Sequence, residues 1–132
     1  MSWIPKDREI SDLLSSDGKR RYEYFIRRVC ETQTVWGLYD DGWASLVDEA
    51  GEPLLALWPH PVYAKKLATD DWEAYKPAQV PLREFFDEWL PRLKKEKLML
   101  AVFPIPQGGA IGISAEDLEA SLRLECPEYY DA

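Results

Sequence analysis

The sequence predicts an α+β fold in a single domain: a mainly antiparallel sheet of about five strands, a three-stranded meander plus a later hairpin, packed with three to four helices. Three observations predict it. Apolar residues recur at helical spacing in separate blocks; short apolar or alternating runs lie between those blocks; and brief Asp-, Gly- and Pro-rich turns join them. A chain of 132 residues suits one domain, and at that length roughly two thirds of the unfolded surface can be buried. Residues 1–18 are expected as a weakly ordered segment or short helix around Ile10, Leu13 and Leu14, and residues 19–132 as the domain proper.

Each element follows from its local pattern. Tyr22, Phe25, Ile26, Val29 and Cys30 trace one face of an amphipathic helix, with Asp17 as its N-cap and a fade near Thr32-Gln33-Thr34. The period then changes. Trp36–Tyr39 reads as a strand, Asp40-Asp41-Gly42 as a hairpin turn, and Trp43–Val47 as the returning strand. Asp48-Glu49-Ala50-Gly51-Glu52 is a second turn into a third strand at Leu54–Trp58. Pro61 opens a helix through Tyr63, Ala64, Leu67 and Ala68, closed by Thr69-Asp70-Asp71. Ala78–Val80 is a short extended piece. Leu82, Phe85, Phe86, Trp89, Leu90 and Leu93 repeat the helical period, with a kink or break near Leu90 because Pro91 removes a backbone donor. Leu98–Phe103 and Ala110–Ile113 form the later hairpin across Gly108-Gly109. Ser114 starts a last helix carrying Leu118, Leu122 and Cys126, which Pro127 stops.

Charge narrows the function. The net charge is −8, and it is uneven: residues 1–28 hold seven Lys/Arg against five Asp/Glu, the remainder nine against nineteen. An acidic body repels phosphate backbones and steers basic protein partners, so a protein partner is expected and nucleic acid is not. The longest apolar run, Leu98–Ile105, is far short of the ~20 residues that span a bilayer. With an N-terminus lacking an apolar leader, and two cysteines too few for a disulfide framework, the expectation is a cytoplasmic protein without a membrane anchor.

The chemistry-bearing residues point more to binding than to catalysis. His60 is the sole histidine, and no nucleophile accompanies it in a recognisable pattern. One histidine with two distant cysteines does not match a zinc site, and the acids of the turns match no calcium loop, so no metal or cofactor is predicted. Arg20, Arg21, Arg27 and Arg28, interleaved with Glu23 and Glu31, read as a solvated helix face. Cys30 falls on the apolar stripe, where a thiol packs as a small hydrophobe. The aromatics are left. Alternation places Trp36 and Leu38 on one side of their strand and Gly37 and Tyr39 on the other, so either helices cover both sides or part of the cluster faces water. If exposed, Trp36, Tyr39, Asp40, Asp41, Trp43, Trp58 and His60 make an acidic aromatic surface suited to a protein partner. One form of that reading is an immunity-type protein that neutralises a basic toxin. The alternatives are a small-ligand binder or hydrolase-like enzyme with a pocket around Trp58, His60 and Tyr63, and a homo-oligomer joined through the aromatics.

Four pieces stand in a recognisable order: Tyr22-Glu23-Tyr24-Phe25-Ile26, Val35-Trp36-Gly37-Leu38-Tyr39-Asp40-Asp41-Gly42-Trp43-Ala44, Leu57-Trp58-Pro59-His60-Pro61-Val62-Tyr63-Ala64 and Ala101-Val102-Phe103-Pro104. Over about residues 20–120 the chain resembles the small bacterial proteins of domain-of-unknown-function family 2750. The resemblance implies a single cytoplasmic domain with no assigned activity, and carries over no catalytic residue.

Overall fold

Helix α1 (Asp7–Leu14) forms within the segment expected to be weakly patterned, and α2 (Gly18–Thr32) follows it. The carboxylate of Asp17 accepts the Arg20 backbone N–H at 2.8 Å, as its N-cap position predicts, and Gln33 ends the helix in a left-handed conformation with φ 58°. The structure is a computed structural model that describes residues 3–69, 72–106 and 111–126. The predicted turns at Asp70-Asp71 and Gly108-Gly109 and the stop at Pro127 lie outside the described residues.

The single sheet of the sequence reading becomes two. Strands β1 (Thr34–Tyr39), β2 (Ser45–Val47) and β3 (Pro53–Leu57) form where predicted, but the meander is only half made. β2 and β3 pair antiparallel, with Ser45 opposite Leu55. β1 meets the approach to β2 at one isolated bridge, Tyr39 to Trp43, and pairs along its length with β4 (Lys76–Pro81), from Thr34 opposite Pro81 to Tyr39 opposite Lys76. The cause lies in β3. Ala44 takes the Ala56 N–H at 3.2 Å, while Trp36 and Trp58 exchange backbone hydrogen bonds of 2.9 and 2.8 Å just beyond the strand's end. β2 and β1 therefore share one edge of β3 in succession. The rest of β1 recruits β4, so the extended piece expected at Ala78–Val80 becomes a full strand.

The other edge of β3 pairs in parallel with β5 (Met99–Val102), which pairs antiparallel with β6 (Ile111–Ser114). The four-stranded order is β2-β3-β5-β6. A parallel neighbour requires a long crossover. Here it contains α3 (Pro61–Ala64) with a 3₁₀ turn to Leu67, then β4, α4 (Leu82–Glu84), a π-helical turn (Phe85–Trp89) and α5 (Leu90–Glu96). Pro91 does not break this run. The Leu90 N–H reaches back five residues to the Phe85 carbonyl, and the wider turn makes room for the proline ring. α6 (Ala115–Glu125), capped by the Ser114 hydroxyl, packs against α2 and α5, and its Glu119 bridges Lys94 and Arg123.

That packing also corrects the reading of the cysteines. α2 and α6 bring Cys30 and Cys126, 96 residues apart in sequence, to a Cα separation of 5.7 Å, and they form a disulfide. Closing so long a loop removes roughly 4–5 kcal/mol of denatured-state freedom in the chain-entropy picture. The expectation of a cytoplasmic protein drew in part on two cysteines being too few for a disulfide framework, and this bond removes that support.

The core centres on the exit of β5. Phe103 turns left-handed, at φ 55°, and its N–H bonds the Leu57 carbonyl at 2.8 Å. Its own carbonyl accepts from Nε of Arg21 at 3.1 Å, and the next one, of Pro104, accepts the indole N–H of Trp58 at 2.9 Å. Trp58 is fully buried and Arg21 is 2% exposed. Burial lowers the Arg21 guanidinium below its usual range, with Asp17 opposing. Among the described residues, no helix is long and apolar enough to cross a membrane. Replacing Trp58 by Phe leaves the Pro104 carbonyl buried without its donor and opens a small void. We expect a loss of about 2–4 kcal/mol with an unchanged denaturant slope. A loss below about 0.5 kcal/mol would show that this hydrogen bond is dispensable.

Candidate functional site

Antiparallel pairing at Tyr39 and Trp43 holds the three-residue turn between them, where Asp41 is left-handed at φ 56° and the Asp40 N–H reaches the Gly42 carbonyl at 2.9 Å. The turn directs Tyr39 and Trp43 to one place. Their rings meet edge to face at 5.1 Å, and Trp43 meets Trp89 in the same way at 4.9 Å. Tyr39 is 45% exposed while the two indoles are half-buried, so the row runs from water to the helix. Gly37 explains the seat of Trp43. A Cβ on Gly37 would lie 2.8 Å from Cε3 of that indole, so the residue must be glycine for the ring to lie flat on β1.

Beside this row lies a cavity of about 520 Å³ between the β2–β3 hairpin and the α4–α5 run. Trp43, Trp89, Leu55, Leu93 and Met99 form its apolar wall, and Glu84, Glu88 and Arg92 stand on its helical side. Asp40 and Asp41 are exposed on the turn. β2 pairs only with β3 among the described strands, and Val47 at its end is 69% exposed. A groove with an open strand edge, aromatic floor and acidic rim can take an extended segment of another chain.

The residues proposed from sequence therefore separate. Tyr39, Asp40, Asp41 and Trp43 stay together. Trp36 is half-buried on β1, and Trp58 lies in the core with its N–H committed to Pro104. His60 lies elsewhere. Its Nδ1 accepts the Val62 N–H at 3.1 Å and caps α3, while its ring meets Trp3 edge-on at 5.1 Å. The cavity of about 520 Å³ is lined by none of Trp58, His60 and Tyr63. Trp89 was legible only as a helical core residue, because nothing in the pattern shows that a π-helical turn aims it at the groove. Asp48 serves its own turn, accepting from Ala50 and Glu52 at 2.9 and 2.8 Å. No group of three or more His, Cys, Asp or Glu side chains converges as a metal site among the described residues.

A second polar cluster joins α1, α2 and α3. Glu9 Oε2 accepts from the Tyr24 hydroxyl at 2.5 Å and from Arg28 at 3.0 Å, and Tyr24 and Tyr63 share a hydroxyl hydrogen bond of 2.9 Å. Arg28 lies 4.4 Å from the Trp3 ring centroid and 5.4 Å from that of Tyr24. Burial, with Glu9 and Tyr63 adding, raises the Tyr24 phenol far above its usual range. Burial likewise pushes Tyr63 up to about 12, against the opposing hydrogen bond from Tyr24. Arg21 and Arg28, expected on the solvated face of α2, turn inward instead. They stand seven residues apart with Tyr24 between them, so one helix face carries all three, a spacing visible in the sequence.

A family model described as "Protein of unknown function (DUF2750)" matches residues 22–122, which include the aromatic row, its groove, Tyr24, Arg28, His60 and Tyr63. No curated protein matches the chain.

Two outcomes are expected here. Gly37→Ala should displace Trp43 and cost about 1–3 kcal/mol, and most of that penalty should vanish in a Trp43→Leu background. Additive losses in a double-mutant cycle would show that the two residues do not interact. Burial lowers the His60 imidazole below its ordinary 6.5, with the Trp3 backbone opposing and Lys65 adding. Neutral His60 is thus favoured in the folded state, so its contribution is complete above pH 6.5 and is lost as pH falls through the folded value. His60→Asn keeps a capping acceptor and should flatten the stability profile just below pH 6.5, measured by urea unfolding across pH.

Proposed function

The chain belongs to the DUF2750 family, and on that footing we propose a non-catalytic protein-binding module that grips a basic, extended segment of a partner protein. The observation that carries the proposal is the graded aromatic row Tyr39–Trp43–Trp89 beside the cavity of about 520 Å³. Aromatic anchors that are half-buried before binding lose little side-chain freedom on contact, which is what a hot spot requires. Asp40, Asp41, Glu84 and Glu88 supply charge complementary to Lys or Arg, and the net charge of −8 favours the encounter at long range. The open side of β2 offers main-chain groups to an added strand. In its specific form this is an immunity-type protein, its basic partner a toxin or effector enzyme whose active surface the groove covers.

The test is association with the partner at two ionic strengths. Affinity capture from an extract of the native host at low salt should recover a basic protein. Binding should weaken at least tenfold in Tyr39→Ala, about 1.4 kcal/mol, and more in Asp40→Lys/Asp41→Lys/Glu88→Lys. Capture that survives both high salt and charge reversal, or fails with the unaltered chain at low salt, would sink the proposal.

A further inference from the structure

We propose that Arg28, Tyr24 and Tyr63 form a binding site for small aromatic carboxylates, which the chain's own Glu9 and Trp3 occupy as an intramolecular stand-in. The site and its occupant come from different parts of the chain. Tyr24 and Arg28 stand one turn apart on α2, and Tyr63 reaches them from α3, all inside the family-matched residues 22–122. Glu9 and Trp3 lie before that match.

The fit of the stand-in is incomplete in a specific way. A guanidinium presents its donors as a planar fork, and a free carboxylate meets that fork with both oxygens. Glu9, tethered on α1, uses one oxygen for two partners: Oε2 takes both the Tyr24 hydroxyl and an Arg28 terminal nitrogen. Arg28 Nε is left buried with no hydrogen-bond partner among the described residues. An unsatisfied buried donor on a cation is costly, and a carboxylate free of the α1 backbone can settle side-on and satisfy it. The aromatic part of the ligand is specified by Trp3. Its indole lies against the Arg28 guanidinium and meets the His60 and Tyr24 rings at centroid distances of 5.1 and 6.0 Å, a niche shaped for a flat ring.

The covering segment is lightly held. α1 has eight residues, gains no side-chain cap from Lys6, and buries fully only Leu13. So short a helix has little stability of its own. Between it and α2 lies a cavity of about 570 Å³ lined by five Lys/Arg side chains, Arg28 among them, against the acids Glu9, Asp12 and Glu23; this small cationic excess leaves an anion an approach and room for a small ligand. Internal occupancy then acts as competition: apparent affinity for an external carboxylate is reduced by the fraction of molecules in which Glu9 and Trp3 are seated.

The experiment uses the full chain and three probes by calorimetry: N-acetyl-L-tryptophan, indole-3-acetate and, lacking the carboxylate, N-acetyl-L-tryptophanamide. The Glu9→Gln/Trp3→Ala chain should bind at least one of the two acids at least tenfold more tightly than the unaltered chain, and should not bind the amide. Adding Arg28→Met should abolish that binding. If Arg28→Met does not fold, Tyr63→Phe, which keeps the ring, should weaken it at least threefold. Equal affinity of the unaltered and double-variant chains, equal binding of acid and amide, or no binding of either acid to the double variant would overturn the proposal. The groove variants of the binding-module proposal leave this site untouched, so the two readings fail independently.

Discussion

The structure depends on Trp58, which does two jobs from one position. Its backbone trades hydrogen bonds with Trp36, joining the β1–β4 ribbon to the four-stranded sheet, and its indole N–H holds the Pro104 carbonyl where the chain leaves β5. Arg21 holds the neighbouring carbonyl of Phe103 from the other side, through α2. Three elements distant in sequence are therefore fixed at one left-handed corner. The buried charge is tolerated because carbonyl oxygens receive it: its Nε faces Phe103 and a terminal nitrogen faces Ser16. A large aromatic that looked like half of a surface patch is instead the hinge pin of the core.

The groove follows from how two awkward residues are accommodated. Pro91 would break an ordinary α-helix, and the π-helical turn that absorbs it alters the direction of the side chains just before it, Trp89 among them. Gly37 leaves a bare stretch of β1 on which the Trp43 indole can lie. Trp43 and Trp89 then meet edge to face at the margin of the core, and Tyr39 extends the row to water. Glu84 and Glu88 border this groove, and among the described residues no three acids meet there as a cation cage.

The cluster around Arg28 obeys different physics. There basic and acidic side chains alternate around the cavity between α1 and α2, the phenols of Tyr24 and Tyr63 are buried, and a carboxylate from the N-terminal segment balances Arg28. The disulfide between Cys30 and Cys126 ties α2, which carries this cluster, to the last helix. α2 thereby serves as a common wall: its Arg21 closes the core corner, its Arg28 faces the covering segment, and its Cys30 holds α6.

The sequence by itself determined the local elements and their limits. Asp17 and Ser114 act as caps because a short oxygen-bearing side chain reaches the free N–H groups of the first helical turn wherever the chain runs. The turns at Asp40–Gly42 and Asp48–Glu52 and the amphipathic face of α2 were legible for the same reason: each depends on residues within a few positions of one another. The four aromatic motifs also marked the family. Tertiary structure decided everything that depends on pairing across distance. The parallel contact of β3 with β5 and the capture of β1 by β4 turn on which strand occupies which edge of β3, and the meeting of Cys30 and Cys126 turns on the packing of α2 against α6. Alternation fixes the side of a strand on which a residue lies. It does not fix what covers that side, and only the packed structure placed Tyr39 in water and Trp58 in the core.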